Sequence, residues 1–74
     1  MENENKYKLV TATWCAPCKV LKTQLSEEKI EVVYVDAVDN PEYIKRLGVR
    51  SVPTLVVNDE ELITSNILEY LKNN

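Results

Sequence analysis

Cysteine occurs twice in these 74 residues, at Cys15 and Cys18, within the run Trp14-Cys15-Ala16-Pro17-Cys18-Lys19. An apolar, strand-like segment precedes the run and a helix-like one follows it. A Cys-x-x-Cys pair at a strand-to-helix junction suits thiol–disulfide exchange. The first cysteine falls at a helix N-terminus, where unpaired N–H groups and the helix dipole favour a thiolate. The thiolate is the form that attacks a disulfide. Cys18, one turn further in, is within reach to resolve the mixed disulfide that results. Other uses of the pair fit less well. A structural zinc site takes about four ligands, and two cysteines with no histidine would need a second chain or carboxylates to complete it. As a staple the pair closes a very short loop, the least stabilising kind at roughly 2 kcal/mol.

The elements that must position this pair follow from periodicity and punctuation. Tyr7 to Ala12 is short and β-rich and predicts a first strand. A helix opens around Cys15 and runs to about Glu28. Pro17 is tolerated in its first turn, and Cys18, Leu21 and Leu25 form one apolar stripe. Ile30 to Val35, interrupted only by Glu31, suits a buried parallel strand. Asp39-Asn40-Pro41-Glu42 is a helix start in which Asp39 or Asn40 caps and Pro41 opens the first turn. That helix runs to about Leu47 with Tyr43, Ile44 and Leu47 inward, and Gly48, the single glycine, supplies a left-handed end. Pro53 begins a strand, Thr54 to Val57. Asn58-Asp59 fits a two-residue turn, and Glu61 to Thr64 returns antiparallel. Asn66 with Glu69 is a cap pair for a last helix that buries Ile67, Leu68 and Leu71. The expected fold class is α/β in the order βαβαββα: a four-stranded mixed sheet flanked by three helices, with helices on both faces.

Composition bounds the partners. Hydrophobic residues make up 45%, the formal charge is −3 and there is no Phe. This describes one small globular domain, residues 1–74, whose core volume comes from aliphatic residues, Trp14 and the tyrosines. The acidic balance argues against nucleic acid, since the basic residues cluster no further than Lys45-Arg46 with Arg50 nearby. Residues 1–6 are polar and carry no apolar signal core, and no run reaches the length of a membrane span. The expected compartment is the cytoplasm, where a disulfide is transient rather than structural, and the expected state is a monomer.

Three separated features resemble the thioredoxin superfamily: Trp14-Cys15-Ala16-Pro17-Cys18-Lys19, with Ala16 where thioredoxins usually carry Gly; Asp39-Asn40-Pro41 through Gly48-Val49-Arg50; and Ser51-Val52-Pro53-Thr54, which is similar to the superfamily's cis-proline loop. The match in spacing extends from roughly Lys8 to the end. The resemblance implies that Pro53 is cis and lies beside the cysteines. It also implies that the Val52 backbone pairs with an extended substrate peptide, and that Trp14, Ala16 and Pro17 form a flat apolar rim around Cys15. The implied activity is thiol–disulfide oxidoreduction, with Cys15 as nucleophile and Cys18 as resolving thiol, and with no metal or organic cofactor. The implied electron source is thioredoxin reductase, and the implied recipients are disulfide-containing proteins, ribonucleotide reductase among them.

The departures from the family pattern are specific. Thioredoxins generally carry a buried acid six residues before the first cysteine, and here that position is Leu9. The chain starts without the extra N-terminal strand and helix of full-length thioredoxins. In size it is nearer to glutaredoxins, yet around Leu62 to Leu68 it has neither the Gly-Gly pair nor the Asp with which glutaredoxins hold glutathione. Two other functions stand beside the main expectation: a glutathione-coupled, glutaredoxin-like donor, and a non-catalytic thioredoxin-fold binding module whose cysteines are spectators.

Overall fold

In the computed structural model, which describes residues 6–73, the chain runs β1 (Tyr7–Thr11), α1 (Ala16–Glu27), β2 (Val33–Asp36), α2 (Pro41–Leu47), β3 (Thr54–Val57), β4 (Glu61–Ile63) and α3 (Ile67–Lys72). The polar N-terminal stretch lies, through residue 5, outside the described residues. The sheet has four strands in the order β2-β1-β3-β4. β1 pairs parallel to β2 and antiparallel to β3, and β3 pairs antiparallel to β4. This is the mixed sheet with three helices expected from the sequence. Among the described residues no helix is long and apolar enough to cross a membrane.

Alternation along β1 sorts the sheet into two faces. Leu9 joins Leu55 and Val57 of β3, Leu21 and Leu25 of α1, and Ile67 and Leu71 of α3 in one buried cluster. Val10 and Val56, both without exposed surface, point the other way. That is also the side of Lys8, whose Nζ stands over the Tyr43 ring of α2, so α2 covers this face. Tyr43, Ile44 and Leu47 are inward as expected but only half-buried. The apolar stripe Cys18, Leu21 and Leu25 is buried along its whole length.

Four local expectations are corrected. The strand expected from Ile30 to Val35 begins only at Val33 and is not buried. Lys29 is left-handed (φ 59°) and the Ile30 amide donates to the Leu25 carbonyl at 2.9 Å. That chain reversal closes the end of α1 and keeps Ile30 out of the ladder. β2 then has a neighbour on one side only, which leaves Val33 and Tyr34 exposed at 37% and 44%.

The start of α2 has no side-chain cap. Asn40 occupies the cap position without a capping bond because its amide instead donates to the Asp36 carbonyl. Asp36 Oδ1 accepts from the amides of Val38 and Asp39 at 2.8 and 3.1 Å, so an Asx-type turn orders the approach to the helix. The expected Asn58-Asp59 turn forms, closed by the Glu60 amide donating to the Val57 carbonyl at 3.1 Å, but Val57 faces Glu61, so the β3–β4 connection is one residue longer than expected. Asn58 and Asp59 take the left-handed conformation (φ 55° and 58°). The last helix also lacks its expected cap: Asn66 is left-handed and makes no side-chain capping bond. Gly48, by contrast, ends α2 at φ 76° as its type and place imply.

At the β3–β4 turn a polar cluster fastens α2 to the sheet. Asp59 Oδ1 accepts from Tyr43 Oη at 2.9 Å and from Lys8 Nζ at 3.0 Å. The Lys8 bond, followed by the Tyr43 bond, holds the Asp59 carboxyl below its ordinary value. Burial, and then the hydrogen bond to Asp59 and its charge, push the Tyr43 phenol up to about 12.

Two outcomes are expected. Leu25→Ala removes a fully buried side chain and should cost about 2–5 kcal/mol in a urea unfolding experiment. The folded state favours the protonated phenol of Tyr43, whose unfolded value is about 10. Its contribution to stability is therefore complete below that value and is lost as the pH rises from there towards about 12. Against a Tyr43→Phe variant, the wild-type urea midpoint should show an additional fall confined to that window.

Candidate functional site

The cysteines stand where the central strand hands the chain to its first helix. After Thr11 the chain turns, with the Cys15 amide donating to the Ala12 carbonyl at 3.1 Å, and the Ala37 amide donates to the Thr11 carbonyl at 2.8 Å, tying the ends of β1 and β2 together. Cys15 is the N-cap of α1, in an extended conformation, with Pro17 in the first turn. Its Sγ accepts a hydrogen bond from the Cys18 amide at 3.2 Å. A sulfur thus fills the capping role usually taken by a side-chain oxygen, and the helix N-terminus is directed at that sulfur.

Cys15 and Cys18 are joined as a disulfide, with Cα atoms 5.3 Å apart. Both are buried, and they pack with Ala12 and against the half-buried Val52. The Val52–Pro53 peptide bond is cis. Reduced, this arrangement presents two thiols at a helix N-terminus, and a thiolate at Cys15 is stabilised by the amide and the dipole it caps.

The surroundings divide into an apolar groove and an exposed rim. Trp14, expected to supply core volume, is instead 71% exposed. It borders a groove of about 190 Å³ lined also by Ala37, Ile44, Val49 and residues 50–52. Ala16 and Pro17 stand exposed in the first turn of α1. Pro53 borders a different hollow, with Leu21, Gln24 and the segment that leads into α3. A larger hollow of about 600 Å³ beside Tyr34 contains neither cysteine. The residues singled out from sequence therefore gather at one end of the sheet, with Val52 in direct contact with the cysteine cluster. Sequence reasoning missed Ala37, Ile44 and Val49 as groove residues. Their apolar character on either side of Pro41 was the available signal, but only the folding of α2 over the sheet brings them to Trp14.

Leu9 occupies the place of the family's buried acid. It is fully buried among Leu21, Leu25 and Leu55, so hydrocarbon fills the position that would hold a carboxylate. Lys19 is exposed on the outer side of α1.

Comparison with known proteins agrees with this geometry. The family model described as Thioredoxin matches residues 2–72. The thioredoxin of Listeria monocytogenes is 34% identical over 65 residues, covering 80% of this chain and 63% of that protein. The thioredoxin of Bacillus subtilis is 35% identical over 63 residues, covering 76% and 61%. Thioredoxin 1 of a Nostoc species is 38% identical over 52 residues, covering 62% and 49%. The chain thus spans about three fifths of the length of the first two relatives. With the family model matched across nearly its whole length and its one cysteine pair capping the first helix, the chain belongs to the thioredoxin family.

Proposed function

We propose that this chain is a small protein-disulfide reductase that works as a single domain over residues 1–74. One observation carries the reading: Cys15 Sγ caps α1 and accepts the Cys18 amide, beside Val52. In the reduced protein the Cys15 thiolate attacks a substrate disulfide. A Cys15–substrate bond forms, and the first substrate sulfur leaves and takes up a proton. The Cys18 thiol then loses its proton and attacks Cys15 Sγ. The second substrate sulfur leaves as a thiol, and the Cys15–Cys18 disulfide remains. Two electrons pass from the protein to the substrate in each cycle.

Docking follows from the exposed surface. Trp14 and the groove beside it supply apolar contact, with Ala16 and Pro17 completing the rim. The Val52 backbone makes no hydrogen bond among the described residues, which leaves it open to pair with an extended peptide by strand addition. Pro53 fixes the turn behind Val52. Electrons return to the disulfide from a flavin- and NADPH-dependent thioredoxin reductase, and ribonucleotide reductase is one recipient of the class. The setting is the cytoplasm and the working form a monomer.

Three outcomes test this reading. Equilibrated with a glutathione redox buffer and followed by Trp14 fluorescence and thiol trapping, the pair should titrate near thioredoxin's potential, about −270 mV. A value of about −200 to −230 mV would move the chain to a glutathione-coupled role, and the absence of a reversible disulfide would leave it a binding module. Cys15→Ser should abolish disulfide reduction, whereas Cys18→Ser should accumulate a mixed disulfide at Cys15. Because Leu9 offers no group to accept the Cys18 proton, resolution should be slow, and Leu9→Asp should speed it. A Leu9→Asp protein that reduces disulfides no faster than the parent at any pH would contradict the role given to this position.

A further inference from the structure

Thr54 is a threonine with no exposed surface at the first ladder position of β3, opposite Val10 of the central strand. Its hydroxyl donates to the Ser51 carbonyl at 2.7 Å. The bond reaches back over Val52 and Pro53 and closes a loop of four residues from a rigid anchor inside the sheet. It points one carbonyl of the loop inward and occupies it. The next backbone unit, Val52, has no hydrogen bond among the described residues and packs against the cysteine cluster.

We propose that Thr54 is a positioning residue: its hydroxyl, by holding the Ser51 carbonyl, fixes the register in which an extended peptide pairs with Val52 and so brings the substrate disulfide to Cys15. The proposal rests on the reductase reading above. With the Ser51 carbonyl held, Val52 is the pairing unit offered beside the cysteines. With it released, the loop offers two neighbouring acceptors that differ by one residue in register, and a shift of one residue turns every peptide side chain to the opposite face. A substrate that pairs through its backbone depends on this bond; a disulfide without a backbone does not.

Thr54→Val removes the hydroxyl and nearly preserves the shape. Ser51 is exposed, so its carbonyl can turn to water and the variant should fold. The experiment compares wild type, Thr54→Val and Thr54→Ser, each pre-reduced, against two substrates: a synthetic peptide closed by an internal disulfide, and 2-hydroxyethyl disulfide. Urea midpoints are measured on the same samples. In Thr54→Val the peptide concentration for half-maximal rate should rise about fivefold with the maximal rate nearly unchanged, as for the loss of one hydrogen bond that acts through binding. The rate with 2-hydroxyethyl disulfide should be unaltered, and Thr54→Ser should restore the peptide values. Equal peptide kinetics in wild type and Thr54→Val would overturn the proposal. So would an equal loss on both substrates, or a failure of Thr54→Ser to restore activity. A wild type inactive on both substrates would overturn the reductase reading and this proposal with it, whereas an active wild type with an indifferent Thr54→Val would overturn this proposal alone.

Discussion

Everything else in the molecule is arranged around β1, the one strand bonded on one side to a parallel and on the other to an antiparallel neighbour. Leu9 and Val10 in its middle have no exposed surface, and they serve opposite faces. Leu9 faces the larger cluster with α1 and α3, whereas Val10 faces α2. A parallel neighbour cannot be reached by a tight turn, so the chain must cross over through a helix before β2 begins. The residues just past Thr11 are therefore committed to starting that helix at the C-terminal end of the central strand. Cys15 stands at that point as the N-cap of α1, and the place of the cysteine pair is a product of the crossover.

The same geometry explains how the pair is built. A helix start needs an acceptor for its free amides, and Cys15 Sγ provides one for the Cys18 amide. Cys18 continues the stripe of Leu21 and Leu25, which draws its sulfur inward while Trp14 and the first turn remain outside. One residue of the pair is thus set by capping and the other by the hydrophobic stripe. Further along the stripe, Leu9 packs with Leu21 and Leu25 in a wholly apolar cluster. Cys15 Sγ meets one amide and the helix N-terminus, and the position six residues before it is hydrocarbon.

Where the sequence misled, a long-range contact or competing backbone bond was responsible. The run from Ile30 to Val35 has the composition of a buried strand, but composition does not reveal that β2 lies at the edge or that Ile30 closes the end of α1. Asn40 and Asn66 have the right type and place for capping. Asn40 instead donates to the Asp36 carbonyl, and Asn66 adopts a left-handed conformation with no capping bond. Asn58 and Asp59 make the tight left-handed turn their types favour, yet the ladder resumes only at Glu61, and Asp59 is also bound by Lys8 and Tyr43 from distant parts of the chain. Each of these depends on a partner far away in sequence, or on a choice among several satisfactory local bonds.

The order of elements, the stripe that buries Cys18, the left-handed end at Gly48 and the spacing of the cysteine pair could all be read along the chain. These follow from periodicity, punctuation and spacing, all of them local properties of the chain. The resemblance to a known family added the expectation of a cis Pro53 beside the cysteines. Folding alone sets Val52 against the cluster of Ala12 and the cysteines, lines a groove at Trp14 with Ala37, Ile44 and Val49, and brings the Thr54 hydroxyl to the Ser51 carbonyl. The groove and the Val52 contact join segments about twenty to forty residues apart, and such contacts exist only once the sheet has brought those segments to the same end. The Thr54 bond spans three residues, yet it forms because the pairing of Thr54 with Val10 fixes where that hydroxyl points.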